Sequence, residues 1–167
     1  MLFRSTAFAY GPDGFVERTI STMGDLDALG TQWPVTWINI DGMGDLAFLK
    51  AIAQRFGIHP LAMEDATDRA QRAKAEPYGE ATFLVLPMPH DGEHGFWTEQ
   101  LSTWFSARVV ITFQHDPGDC LDHLRKRIRE GQGRIRRTNA AYLAYAIADS
   151  VVDGYFPIIE QIGRAHV

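Results

Sequence analysis

Gly57-Ile58-His59-Pro60-Leu61-Ala62-Met63-Glu64-Asp65 is the stretch on which the fold turns. Ahead of it, Leu46, Leu49, Ile52, Ala53 and Phe56 recur at helical spacing, and Gly57 is the stop signal for that helix. Pro60 pre-sets the backbone of a second helix. Glu64 and Asp65 are expected in the first turn of this second helix, where carboxylates complement the helix dipole. Adjacent helical residues point about 100° apart, so the two carboxylates cannot both face one ligand. One can face a metal or a partner while the other caps or meets solvent.

Outward toward the N-terminus, Val35-Thr36-Trp37-Ile38-Asn39-Ile40 is an apolar, β-branched run between Pro34 and Asp41-Gly42, which predicts a buried strand. Residues 2–10 and 15–21 predict a hairpin around Gly11-Pro12-Asp13-Gly14, followed by a short acidic turn or helix at 25–29. Toward the C-terminus, strands are expected at 82–88, 101–106 and 109–114, with Pro89-His90-Asp91-Gly92 breaking the first from the second. Asp116-Pro117-Gly118-Asp119 opens a helix through Leu121, Leu124, Arg125 and Ile128 that ends at Gly131-Gln132-Gly133. The last helix runs over 138–162, with Leu143, Ile147, Val151, Tyr155 and Ile158 on one stripe. Pro157 lies inside it and should kink or fray it, at about 3 kcal/mol. Residues 163–167 lack periodicity and read as a tail. The whole is an α/β (α+β) domain: a mixed, largely antiparallel sheet with helices on both faces and a long C-terminal helix.

The chain has 167 residues, enough for one domain with a sizeable core. Its 46% hydrophobic and 22% charged content are ordinary for a globular protein. A net charge of −5 argues against a nucleic-acid partner. Cys120 is alone, which excludes an intrachain disulfide and suits a reducing compartment. The N-terminal Met1-Leu2-Phe3-Arg4-Ser5-Thr6 has no long apolar segment of signal-peptide type, and no window reaches the roughly 18 apolar residues of a membrane span. As it stands the chain is expected to be soluble.

Asp149 and Asp153 stand four apart and share a helix face, which reads as a solvated face on which the like charges are mildly destabilising unless a cation or a basic neighbour compensates. His59 before a proline reads as a turn cap. His90, Asp91, Glu93 and His94 read as a solvated loop, and no zinc-type histidine or cysteine spacing occurs. Arg125, Lys126, Arg127, Arg129, Arg134, Arg136 and Arg137 gather seven of the sixteen basic residues in thirteen positions. Four lie where cations complement the end of a helix. The strip could also hold phosphate. Aromatic interleaving is absent from it, which speaks against nucleic acid. Ser102, Thr103, Ser106 and Cys120 show no nucleophile arrangement, and no glycine-rich phosphate loop is present, so nothing points to an enzyme.

Several of these segments occur in an order that resembles one family. They are Thr36 to Ile40, Phe56-Gly57-Ile58-His59-Pro60-Leu61 with Glu64-Asp65, Arg72-Ala73-Lys74-Ala75-Glu76, Phe83 to Leu86, Arg127 to Gly131, and the helix from Tyr142 to Phe156. Together they resemble the cytoplasmic domain of CorA-type divalent-cation transporters. Ala73 stands where that family usually has proline. The resemblance makes residues 1–162 the N-terminal cytoplasmic domain, with the stalk helix and transmembrane part lying beyond it. It implies a homopentameric Mg²⁺/Co²⁺ channel at the inner membrane, whose cytoplasmic domains close when magnesium bridges subunits. It assigns Asp65 as half of that intersubunit site, against an acidic residue of a stalk helix, with Glu64, Asp149 and Asp153 as further candidate contacts. Oxygen-only ligation of this kind suits Mg²⁺. A zinc-transporting, ZntB-like relative and a free-standing soluble binding or scaffold domain of the same fold are the alternatives.

Overall fold

A computed structural model describes residues 5–166. The chain runs β1 (Ser5–Gly11), β2 (Gly14–Ile20), α1 (Met23–Asp27), β3 (Val35–Asp41), α2 (Leu46–Phe56), α3 (Pro60–Thr67), β4 (Lys74–Tyr78), β5 (Ala81–Gly92), β6 (Gly95–Phe105) and β7 (Val109–Gln114). It continues through α4 (Asp122–Glu130), a 3₁₀ turn (Ile135–Arg137), α5 (Ala140–Asp153) and α6 (Phe156–Ala165). Residues 2–4 of the expected first strand lie outside the described residues.

The strands form one seven-stranded sheet in the order β2-β1-β3-β7-β6-β5-β4. Among the described residues, only β3 and β7 pair in parallel; every other neighbouring pair is antiparallel. The two-residue period of a strand then sorts the side chains onto two cores. Ala7, Ala9, Ile38, Ile40, Phe83, Val85 and Ile111 meet Leu26, Leu49, Ile52, Ala62 and Ala66 from α1, α2 and α3. Phe8, Tyr10, Val35, Trp37, Met88 and Val110 meet Leu124, Ile128, Leu143, Ile147 and Val151 from α4 and α5 on the opposite face. The expected mixed sheet with helices on both faces is what the chain builds.

Three local differences have physical causes. β4 is a strand that the sequence reading does not predict. Its residues alternate partly buried and exposed, and it pairs only with β5, so Pro77 sits on an edge strand where its missing N–H costs no ladder bond. Pro89-His90-Asp91-Gly92 does not break β5 but extends it, as far as a tight turn at Glu93-His94. β4 covers β5 only over 81–85, so Pro87 and Pro89 also lie on an open edge. The kink expected from Pro157 becomes a clean break: α5 stops at Asp153, and α6 restarts with Pro157 in its first turn. α6 buries Ile158 and leaves Phe156, Ile159 and Ile162 exposed.

Candidate functional site

The Gly57–Pro60 connection is built as its residues dictate. Gly57 takes the left-handed conformation (φ 64°) and ends α2 with its N–H on the Ala53 carbonyl. His59 is the N-cap of α3, its Nδ1 accepting the N–H of Leu61 at 3.1 Å, with Pro60 opening the helix. The His59 ring lies 4.9 Å from that of Tyr78, and Tyr78 lies 5.7 Å from Trp104. These rings line an open cleft of about 600 Å³ between the α2–α3 connection and the β4–β5 turn.

Glu64 and Asp65 are not in the first turn of α3. The helix starts at Pro60, so they fall in its second half, where the dipole disfavours a carboxylate. Asp65 is compensated instead by Lys74 on β4, whose Nζ donates to Asp65 Oδ2 at 2.6 Å. Lys74 also lies 3.1 Å from Glu76 Oε1, and the Tyr78 hydroxyl donates to Glu76 Oε2 at 3.1 Å. The hydrogen bond to Asp65, assisted by Glu76, holds the Lys74 pKa above its ordinary value. Desolvation, then Glu76, raises that of Tyr78. Behind Asp65, the buried Gln100 of β6 donates to the Asp65 carbonyl at 2.7 Å and accepts the Gln71 N–H at 3.0 Å. One amide thus ties the end of α3 and the segment after it to the sheet.

Glu64 is exposed, and its backbone carbonyl accepts the Asp68 N–H and the Thr67 hydroxyl. Asp149 and Asp153 are exposed on α5. α5 packs on the opposite face of the sheet from α3, so within one chain these aspartates do not join Asp65 in a single site. Among the described residues, no group of three or more His, Cys, Asp or Glu side chains is arranged to hold a metal ion. Asp65 suits a hard cation as one oxygen ligand. In this chain an ammonium group already occupies the place beside it.

Sequence reading missed Lys74 and Glu76 because it missed β4; the signal was the alternation Lys74-Ala75-Glu76-Pro77-Tyr78. It also missed Asp41, at the end of β3. Burial pushes the Asp41 carboxyl up to about 6, against the Asn39 hydrogen bond and with help from the charges of Asp119 and Glu99. His90 is not a free loop residue: its Nε2 lies 3.1 Å from buried Glu99, and its ring stacks on Trp97. Much of the basic strip is structural. Arg125 pairs with Asp119 and Asp122, Arg129 with Glu17, and Arg136 donates to the last carbonyls of α4.

Ser150 lies 3.1 Å from His123 Nε2, a pair the sequence did not reveal. The serine hydroxyl donates its only hydrogen to the Ala146 carbonyl at 2.6 Å, so it accepts from the imidazole. That is the reverse of a nucleophile and its base. Burial pushes the Cys120 thiol up to about 11, away from reactivity.

The chain builds a mixed α/β/α domain, and solved domains of metal-transporter proteins share that fold. The soluble domain of CorA from Methanocaldococcus jannaschii aligns over 96% of this chain and 60% of its own, with a TM-score of 0.68 and 16% identity. The ZntB cytoplasmic domain from Vibrio parahaemolyticus aligns over 98% of this chain and 64% of its own, with a TM-score of 0.73 and 12% identity. At such identities the likeness is one of fold. The cobalt/magnesium transport protein CorA of Thermotoga maritima is 40% identical over 129 residues, 76% of this chain and 37% of that protein. The model of the CorA-like Mg²⁺ transporter protein family matches residues 35–166. The chain belongs to this CorA-like family. No helix among the described residues is long and apolar enough to cross a membrane.

Proposed function

We propose that this chain is the cytoplasmic, metal-sensing domain of a CorA-like divalent-cation transporter, in which Asp65 supplies half of a Mg²⁺ site between subunits of a homopentamer. The observation that carries the reading is the placement of Asp65 within a family match that extends over residues 35–166. The carboxylate is partly exposed at the outer end of α3 and held by a single lysine. A cation at Asp65 needs further oxygen ligands from outside residues 5–166 or from water, as Mg²⁺ commonly has. The uncovered apolar face of α6 (Phe156, Ile159, Ile162) supports a domain that packs against more protein. On this reading residues 1–162 are the domain, and the helical path of α6 continues toward a stalk.

Gating follows from differential affinity. Magnesium that bridges two subunits in the closed state and loses a ligand in the open state shifts the population toward closure. Lys74 competes for Asp65 with the incoming ion, which sets a threshold. The histidines His59, His90, His115 and His123 are each engaged in hydrogen bonds, so oxygen ligation of Mg²⁺ or Co²⁺ is favoured over a histidine-rich Zn²⁺ site.

The coding sequence downstream of residue 167 tests the reading. A long uninterrupted helix followed by two apolar runs of about 20 residues is expected. A stop codon directly after residue 167 contradicts it.

A further inference from the structure

We propose that Arg127 and Arg134, beside Tyr142, form a binding site for a phosphoryl oxyanion. Three elements bring these groups together. Arg127 is partly buried in the last turn of α4, Arg134 is exposed just before the 3₁₀ turn, and Tyr142 is the third residue of α5. The Arg134 guanidinium lies 5.3 Å from the centre of the Tyr142 ring. The Arg127 guanidinium lies against Gly133, the residue before Arg134, and the two positive charges hold the Tyr142 hydroxyl below the ordinary tyrosine pKa.

The structural duties that usually absorb such arginines are already filled. At the end of α4 the Arg127 carbonyl accepts from Gly131 and Gln132, while Arg136 donates to the carbonyls of Ile128 and Arg129. Three of the last four carbonyls of α4 are therefore satisfied without the Arg127 side chain. Among the described residues, the ion pairs of this region belong to Arg125 and Arg129, and neither Arg127 nor Arg134 takes part in one. Two like charges thus stand near one another beside a neutral tyrosine in a chain whose net charge is −5. Their mutual repulsion is relieved by an anion between them.

The donor set selects the anion's chemistry. Guanidinium forks bind carboxylate and phosphoryl oxygens in pairs. A planar carboxylate presents its two oxygens in one plane to one fork, whereas a tetrahedral phosphoryl group presents its free oxygens to donors that arrive from different directions. The positive end of α5, a helix of 14 residues capped by Asn139, adds to the attraction. Lys126 and Arg137, both exposed, extend the positive rim. The phosphoryl group could belong to a soluble anion or to a phospholipid headgroup, and the two sources are separable by experiment.

The whole chain is titrated with inorganic pyrophosphate by calorimetry and, in parallel, sedimented with phosphatidylglycerol or phosphatidylcholine vesicles. Saturable binding to pyrophosphate, to phosphatidylglycerol vesicles or to both is expected. The Arg127→Gln/Arg134→Gln double variant should weaken it at least about tenfold, as loss of two charge-assisted contacts implies. Lys50→Gln, on α2 across the sheet, should leave it unchanged. Binding to pyrophosphate alone assigns the site to a soluble anion, and binding to phosphatidylglycerol alone assigns it to the membrane surface. If the double variant fails to fold by circular dichroism, Arg134→Gln, at an exposed residue, is expected to weaken binding about threefold or more. The proposal is overturned if neither probe binds, or if the folded variant binds within the threefold margin of the parent chain.

Discussion

Asp65 is held from two sides by contacts of different kinds. Its carboxylate meets a lysine that is itself shared with Glu76, and its backbone carbonyl is fixed by a buried glutamine. Lys74→Met removes the one cation between the two carboxylates. With both partners partly buried, we expect a loss of about 1–2 kcal/mol at pH 7, read from the urea unfolding midpoint. Asp41 gives a pH signature of its own. Its folded pKa of about 6 lies above the ordinary 3.8, so between these values the folded chain keeps a proton that the unfolded chain has released. This contribution is complete below the unfolded pKa and is lost as pH rises through the folded one. We expect stability to fall by about 1–3 kcal/mol across that window, the ceiling for such a shift on a partly buried group. Asp41→Asn, which keeps an oxygen for Asn39 and carries no charge, should flatten the profile and gain about that amount at pH 7. Thermal melts of both proteins at several pH values check it.

Two glycines at element boundaries are required for opposite reasons, and substitution separates them. A Cβ on Gly57 meets nothing within 4 Å, but its φ of +64° is costly for any other residue. Gly57→Ala should therefore destabilise by about 1 kcal/mol through the backbone alone. Gly154 has an ordinary helical backbone, and a Cβ there would lie 2.9 Å from the Pro89 ring, where the β5–β6 hairpin packs on the end of α5. Gly154→Ala should cost about 1–3 kcal/mol by overpacking, with chemical denaturation of both variants as the measure. Elements whose signals are local were legible in the sequence. β3 and β7 are apolar runs, and α2 and α4 end at glycines with positive φ. Elements whose stability depends on which edge is open were not. β4 is polar at every second residue, and the prolines of β5 look like breaks until β4 is seen to cover only half of that strand. The same gap hid the site's electrostatics: Asp65 was readable as a carboxylate on α3, but its partner Lys74 belongs to the unread strand.

For the molecule as a whole, the sheet divides the candidate metal contacts. Asp65 belongs to the α1–α3 face, and Asp149 and Asp153 to the α4–α5 face, so no folding of the single chain assembles them. The proposed sensing role therefore stands or falls on Asp65 being incomplete alone. The most direct test is the thermal stability of this chain against Mg²⁺ concentration, with Asp65→Ala alongside. A half-site with a dissociation constant above about 10 mM adds at most about 0.2 kcal/mol at roughly 5 mM ion, less than about 1 °C in Tm. We expect no more than that small response in the parent chain, so Asp65→Ala should differ from it by less than about 1 °C. A complete site with a dissociation constant near about 0.1 mM would add roughly 2 kcal/mol, about 4–8 °C, at the same concentration. A rise of that size, abolished by Asp65→Ala, would show all the ligands present in one chain and contradict the intersubunit site.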